Sequence, residues 1–161
     1  MILRRALPSD DPAVRAIHVA AFERDLEADL YDSLRRDGDL IPALCFVVVE
    51  DGAVVAHVAT SAGRIAGRVV PAVGPIGVLP DRHGRGLGSA LMHAVIGGAE
   101  ALGERCVVLL GSPAYYGRFG FGPADPVEAP DPRWGEDFQV RRLTAWDDSV
   151  RGPFAYAPAF G

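Results

Sequence analysis

The chain has 161 residues, with 16 Lys and Arg against 21 Asp and Glu, a formal charge of −5 at pH 7. That length suits one domain spanning residues 1–161, and 49% apolar with 23% charged residues is an ordinary globular balance. No basic block points to nucleic acid, no run approaches the roughly 18 apolar residues of a membrane span, and "MILRRALPSDD" lacks the apolar segment of a secretory leader, so a cytoplasmic location is expected.

The mild negative balance slightly favours a cationic substrate through long-range steering. The two cysteines, Cys45 and Cys106, each lie inside an apolar run and read as buried structural thiols. In chain order, "ILRRA" (2–6) alternates as a short first strand. Ser9, Asp10 and Asp11 then offer cap oxygens and Pro12 suits a first helical turn. Val14, Ile17, His18, Ala21 and Phe22 share one helical face. A second helix is expected around 26–36, with Leu30, Tyr31 and Leu34 on one side, ended by Gly38 and Pro42.

The next stretch, "ALCFVVVEDGAVVAHVATSAG", holds two β-branched runs around Asp51-Gly52, the chemistry of a tight hairpin turn. "RVVPAVGPIGV" (68–78) is a further strand, in which Pro71 and Pro75 call for a bulge or unpaired N–H positions. Leu87, Leu91, Val95, Ala99 and Leu102 follow at helical spacing. Gly97 and Gly98 weaken that helix by about 1 kcal/mol each. "RCVVLLG" (105–111) reads as a strand buried on both faces. "SPAYYGRF" forms a short helix, "GFGPADP" returns as a strand, "FQVRRL" (138–143) is a last alternating strand, and "RGPFAYAPAFG" is expected to pack irregularly. The order is that of a mixed α/β domain.

Between the third hairpin strand and the long helix lies "VLPDRHGRGLGSALM" (78–92). Gly84, Gly86 and Gly88 leave the backbone bare just where a helix begins. A glycine turn entering a helix aims free N–H groups and the positive helix end at one spot, a site for phosphate or pyrophosphate. The plain alternative is a tight turn. The G-x-x-x-x-G-K-[ST] phosphate loop is absent. The G-x-G-x-G spacing and its place after an antiparallel hairpin also disfavour a dinucleotide fold.

The stretch from Ile76 resembles the acyl-CoA-binding motif of the GNAT superfamily of N-acetyltransferases. It reads Ile76-Gly77-Val78-Leu79-Pro80, then His83-Gly84-Arg85-Gly86-Leu87-Gly88, with His83 where the family usually has Gln or Arg. Tyr116-Gly117-Arg118-Phe119-Gly120-Phe121 matches the family's Tyr-x-x-x-Gly-Phe signature. "LRRDGDLIP", "VVAHV", the doubled tyrosine and "AYAPAF" are similar to the YhbS-like bacterial group. The resemblance implies an α+β GNAT fold. Its mixed, mostly antiparallel sheet splays between the fourth and fifth strands, with helices on both faces and acetyl-CoA in the cleft. It implies transfer of an acetyl group to a primary amine of a small molecule or peptide by direct attack, by a monomer or homodimer. A non-catalytic acyl-CoA-binding or sensing module is the alternative.

By that resemblance, acetyl-CoA meets Ile76, Gly77, Val78, His83, Gly84, Arg85, Gly86, Leu87, Gly88, Ser89, Tyr115 and Tyr116. The Val78 N–H would stabilise the carbonyl oxygen and Tyr116 would protonate the leaving thiolate, with Tyr115 as its neighbouring competitor. His57, on the third strand, and Glu27, between the first two helices, are the candidate bases, each also readable as structural. His18 and His93 read as structural. Trp134 is a pocket or packing residue. No His/Cys/Asp spacing suggests a metal, and no nucleophile context suggests an acyl-enzyme.

Overall fold

The computed structural model describes residues 1–161. In chain order it contains β1 (Ile2–Arg5), α1 (Asp11–Phe22), α2 (Leu26–Asp37), β2 (Phe46–Glu50), β3 (Ala53–Ile65) and β4 (Arg68–Val78). Then follow α3 (Leu87–Ala101), β5 (Cys106–Leu110), α4 (Pro113–Tyr116), β6 (Gly122–Pro123), β7 (Val127–Glu128), β8 (Phe138–Arg142) and β9 (Gly152–Ala155). The sheet runs β1-β2-β3-β4-β5-β8-β6. Its neighbours are antiparallel except β4 and β5, which are parallel and share the single register pair Ala72↔Val108. Beyond that pair the two strands part, and the C-terminal half of β4 faces a cleft. No helix is long and apolar enough to cross a membrane.

Residue alternation sorts the two faces of the sheet. Val48, Ala56 and Val58 pack with Leu91, Met92 and Val95 of α3. Val47 and Ala59 pack with Val14 of α1 and Tyr31 of α2. Both faces are covered, so the "FVVV" run is continuously apolar. Asp51 (φ 50°) and Gly52 (φ 76°) are both left-handed, as the two central residues of a type I′ hairpin turn require. Gly98 has a packing reason: a Cβ there would meet Leu44 Cδ2 at 2.9 Å, so α3 could not lie so close. Asp10 precedes α1, but its buried carboxylate turns back to accept from the Leu7 N–H (2.7 Å) and from Arg4 (2.7 and 2.9 Å). Cys45 and Cys106 are buried and unpaired.

Two elements differ from expectation. "GFGPADP" is not one strand: it holds only the two-residue β6, and β7 follows after a turn at Asp125-Pro126. The tail is not irregular: β9 pairs with β3 and β7. Gly63 makes room for it, since a Cβ there would stand 2.6 Å from the Phe154 ring. The Ala66 N–H is bonded to the Pro153 carbonyl at 2.9 Å.

Candidate active site

Pro75 shapes the cleft edge of β4. The β3–β4 register advances two residues on β3 (Val58 to Thr60) while it advances three on β4 (Ile76 to Val73), a bulge with one extra residue around Gly74 and Pro75. Past the bulge, the Leu79 N–H donates to the Val55 carbonyl at 2.9 Å. Antiparallel pairs alternate between bonded and unbonded, so Val55↔Leu79 and His57↔Gly77 are bonded pairs and Ala56↔Val78 is not. The N–H groups of Val78 and Ile76 therefore point away from β3, into the cleft.

The chain leaves β4 through a 3-10 turn (Pro80–Arg82) and enters the glycine loop. Gly84 (φ 77°) and Gly86 (φ 79°) are left-handed, and Gly86 caps α3. The first intrahelical bond runs from the Ala90 N–H to the Gly86 carbonyl, so the N–H groups of Leu87, Gly88 and Ser89 have no helical partner. The His83 ring donates from Nε2 to the Val78 carbonyl at 2.9 Å. That bond ties the loop to the strand end and turns the His83 ring away from an anion, leaving the backbone amides of the helix start as donors beside the arginines of the cavity wall.

A cavity of about 520 Å³ opens here, lined by Ile76, Gly77 and Val78 of β4, by His83, Gly84 and Gly86, and by Leu87, Gly88 and Ser89 of α3. Tyr115 and Tyr116 close its far side. Arg85 is not among its lining residues; its guanidinium lies 3.6 Å from Glu50, which also pairs with Arg82 at 3.0 Å. Arg82, Arg118, Ala21 and Phe22 line the cavity and were not foreseen. Of these, Arg118 lies inside the tyrosine signature and Arg82 inside the glycine-loop stretch, while Ala21 and Phe22 had no such signal.

The two tyrosines have separate places. Tyr115 stands over the helix start; a Cβ on Gly88 would meet its hydroxyl at 2.9 Å. Arg118 lies 4.4 Å over the Tyr115 ring. The Tyr116 ring lies against Gly111 at the end of β5, where a Cβ would stand 2.5 Å from it. Burial holds the Tyr116 phenol above its ordinary pKa, so it keeps its proton at neutral pH. Phe119 and Phe121 pack beneath the pair.

A second cavity, also about 520 Å³, shares Phe22, Ile76 and Tyr116 with the first. It runs between β4 and β5 to Trp134 and the C-terminal aromatics, and Glu27 lines it. The Glu27 carboxylate accepts from Arg24 Nε at 2.9 and 3.0 Å and from Arg24 Nη2. That pairing, the largest cause, holds it below the usual carboxylate range.

His57 does not face the cleft. It is fully buried, lines neither cavity, and its Nδ1 lies 2.8 Å from His18 Nε2. The bond in the β3–β4 ladder puts its backbone beside Gly77, but α1 crosses over that face and covers the ring. His18 Nδ1 and His57 Nε2 have no protein partner. Burial holds both imidazoles below their ordinary range, so both are neutral. The unfolded chain binds protons below pH ~6.5 while the folded pair does not, so stability present above that pH is lost as pH falls. From pH 7 to 5, unfolded carboxylates stay ionised and the histidines alone should cost up to ~1.4 kcal/mol each per pH unit. Urea midpoints across that range should fall steeply in the parent and about half as steeply in His57→Gln. Equal slopes would remove the pair from the acid response.

The profile of the acetyltransferase (GNAT) domain family matches residues 3–124. The chain is 36% identical over 157 residues to the uncharacterized N-acetyltransferase YhbS of Escherichia coli strain K12, covering 94% of this chain and 92% of that one. A crystal structure of E. coli YhbS in complex with CoA superposes with a TM-score of 0.88 at 32% identity, over 99% of this chain and 91% of that one. A GNAT family acetyltransferase from Brucella melitensis in complex with acetyl-CoA superposes at 0.84 and 31%, over 99% and 97%. The parting of β4 from β5, the glycine-capped α3 and these matches agree, and the chain belongs to the GNAT family of N-acetyltransferases, in its YhbS-like group.

Proposed function

We propose that the protein transfers the acetyl group of acetyl-CoA to a primary amine of a small molecule or peptide. The observation that carries this is the meeting of two cavities at Tyr116, in the gap between β4 and β5. One cavity ends on a helix N-terminus suited to pyrophosphate; the other carries a carboxylate suited to an ammonium. The ligands of the two solved relatives support the reading. Glycine at 88 lets the Tyr115 hydroxyl close over the helix start, since a Cβ there would stand 2.9 Å from it.

Acetyl-CoA supplies a thioester, an acyl group with a thiolate leaving group. The Val78 N–H, free of the β3 ladder, donates to the carbonyl oxygen as charge collects there; one such donor is worth about 3–4 kcal/mol in acyl transfer. Tyr116, protonated and placed at the junction, gives its proton to the departing sulfur. Glu27 binds the amine as an ammonium, accepts one of its protons and passes it to solvent before attack. The second proton, lost from nitrogen once the C–N bond has formed, returns to the Tyr116 phenolate left by protonation of the thiolate. His57 and His18 stiffen the contact of α1 with β3 instead of touching substrate.

Calorimetric titration with acetyl-CoA, with ATP and NAD as controls, tests the first half of the reading. Saturable binding of acetyl-CoA alone is expected, and no binding by folded protein would overturn the assignment. Gly86→Val should weaken that binding at least ~tenfold, because a β-branched residue in left-handed geometry costs about 1–3 kcal/mol and shifts the first turn of α3. Undiminished affinity in that variant would take the helix start out of the site.

A further inference from the structure

We propose that the acceptor is an arylalkylamine: one primary amine on a flat, uncharged, apolar body. The inference rests on the acetyltransferase reading above and deepens it. Glu27 is the one formally charged side chain lining the acceptor cavity. Tyr116 and Tyr156 also line it, and burial raises both phenols, Tyr156 to about 12, so both are neutral. Arg24 shares that carboxylate from outside the cavity, so its remaining acceptor capacity suits one ammonium and no more.

The rest of the wall is apolar. Leu109 and Leu110 of β5 face Trp134, Tyr156 and Phe160 across the cavity's length. Tyr156 stacks on Phe160 at 4.3 Å and 20°, and Trp134 meets Tyr156 edge-on at 6.0 Å and 60°. Aromatic rings in such a wall take a further ring in stacked or edge contact. Phe22 and Leu110 are exposed despite their size, and both belong to this cavity. A volume of about 520 Å³ suits a small molecule.

Charge excludes the other amine classes. A polyamine would bury a second ammonium among leucines and aromatics with no counter-ion. An amino acid would bring its carboxylate against Glu27. Arg24 does not line the cavity, is 59% exposed, and already pairs with Glu27. With the ammonium at Glu27, the ring lies against the aromatic lining of Trp134, Tyr156 and Phe160.

The test measures CoA thiol release from acetyl-CoA with phenethylamine, phenylalanine, spermidine and an alanine-terminated peptide, beside the acetyl-CoA titration. We expect kcat/KM for phenethylamine to exceed the others by at least ~tenfold, the scale on which buried pockets discriminate. Phe160→Ala should raise its KM about tenfold with acetyl-CoA affinity unchanged. Faster transfer to spermidine or the peptide overturns the inference, as does an unmoved KM in Phe160→Ala. Preference for phenylalanine overturns it too and makes Arg24 a carboxylate clamp. Acetyl-CoA binding without transfer to phenethylamine overturns the acceptor class alone, whereas absent acetyl-CoA binding overturns the acetyltransferase reading beneath it.

Discussion

Tyr116→Phe is expected to lower turnover by about 10²–10⁴-fold, the usual contribution of a positioned general acid, and to leave acetyl-CoA affinity little changed. The substitution removes one oxygen and keeps the ring, which packs on Gly111 and near Phe121. Stability should therefore hold, and the loss should appear in kcat. Tyr115→Phe is the matched control. Its hydroxyl sits beside Gly88 at the far end of the cofactor cavity, so it should affect acetyl-CoA KM before kcat. A third variant tests position without touching the phenol. Gly111 has no left-handed φ, so alanine fits its backbone, but the new Cβ would stand 2.5 Å from the Tyr116 ring. The ring must shift, and a displacement of about 1 Å can cost up to ~10² in rate. Steady-state kinetics on the three variants separate the roles. Unchanged kcat in Tyr116→Phe would remove Tyr116 from the chemistry.

The cofactor half of the site was legible because its chemistry is local. Gly84 and Gly86 take the left-handed φ values that fix the turn, and the unpaired amides of Leu87, Gly88 and Ser89 follow directly in the same short stretch. The tyrosine signature was legible for the same reason, although nothing in "YYG" says which ring turns inward. Gly88 and Gly111 lie one beneath each tyrosine, and Gly88 is far from "YYG" in sequence.

What was not legible depends on contacts across the fold. His57 alternates onto a strand face, and only the crossing of α1 shows that this face is sealed by His18. Arg85 sits inside the motif, but its guanidinium lies beside Glu50, on another strand. The C-terminal strand escaped because four residues with a glycine and a proline carry no period; it forms because Gly63 leaves space for Phe154. The acceptor cavity draws on α1, α2, β4, β5 and the tail together. No single stretch could encode it.

Glu27→Gln should lower kcat/KM by about 10²–10⁴-fold, and its kinetic form tells what the carboxylate does. Glutamine keeps the shape and an oxygen for Arg24 but can neither carry the charge nor accept the proton. If Glu27 only anchors the ammonium, KM rises and kcat stays. If it also takes the proton, as proposed here, kcat falls as well. The pH profile gives the second handle. Arg24 holds the Glu27 pKa below the ordinary carboxylate range, so the parent loses kcat on the acid side only below that range. In Arg24→Ala the largest lowering influence is gone. The pKa must rise toward the ordinary carboxylate range, and the acid limb of kcat must move to higher pH by the same amount. Arg24 is exposed and lines neither cavity, so its removal should leave acetyl-CoA binding unchanged. A limb that stays put in Arg24→Ala, with kcat intact in Glu27→Gln, would pass the proton to solvent and leave Glu27 as the anchor alone.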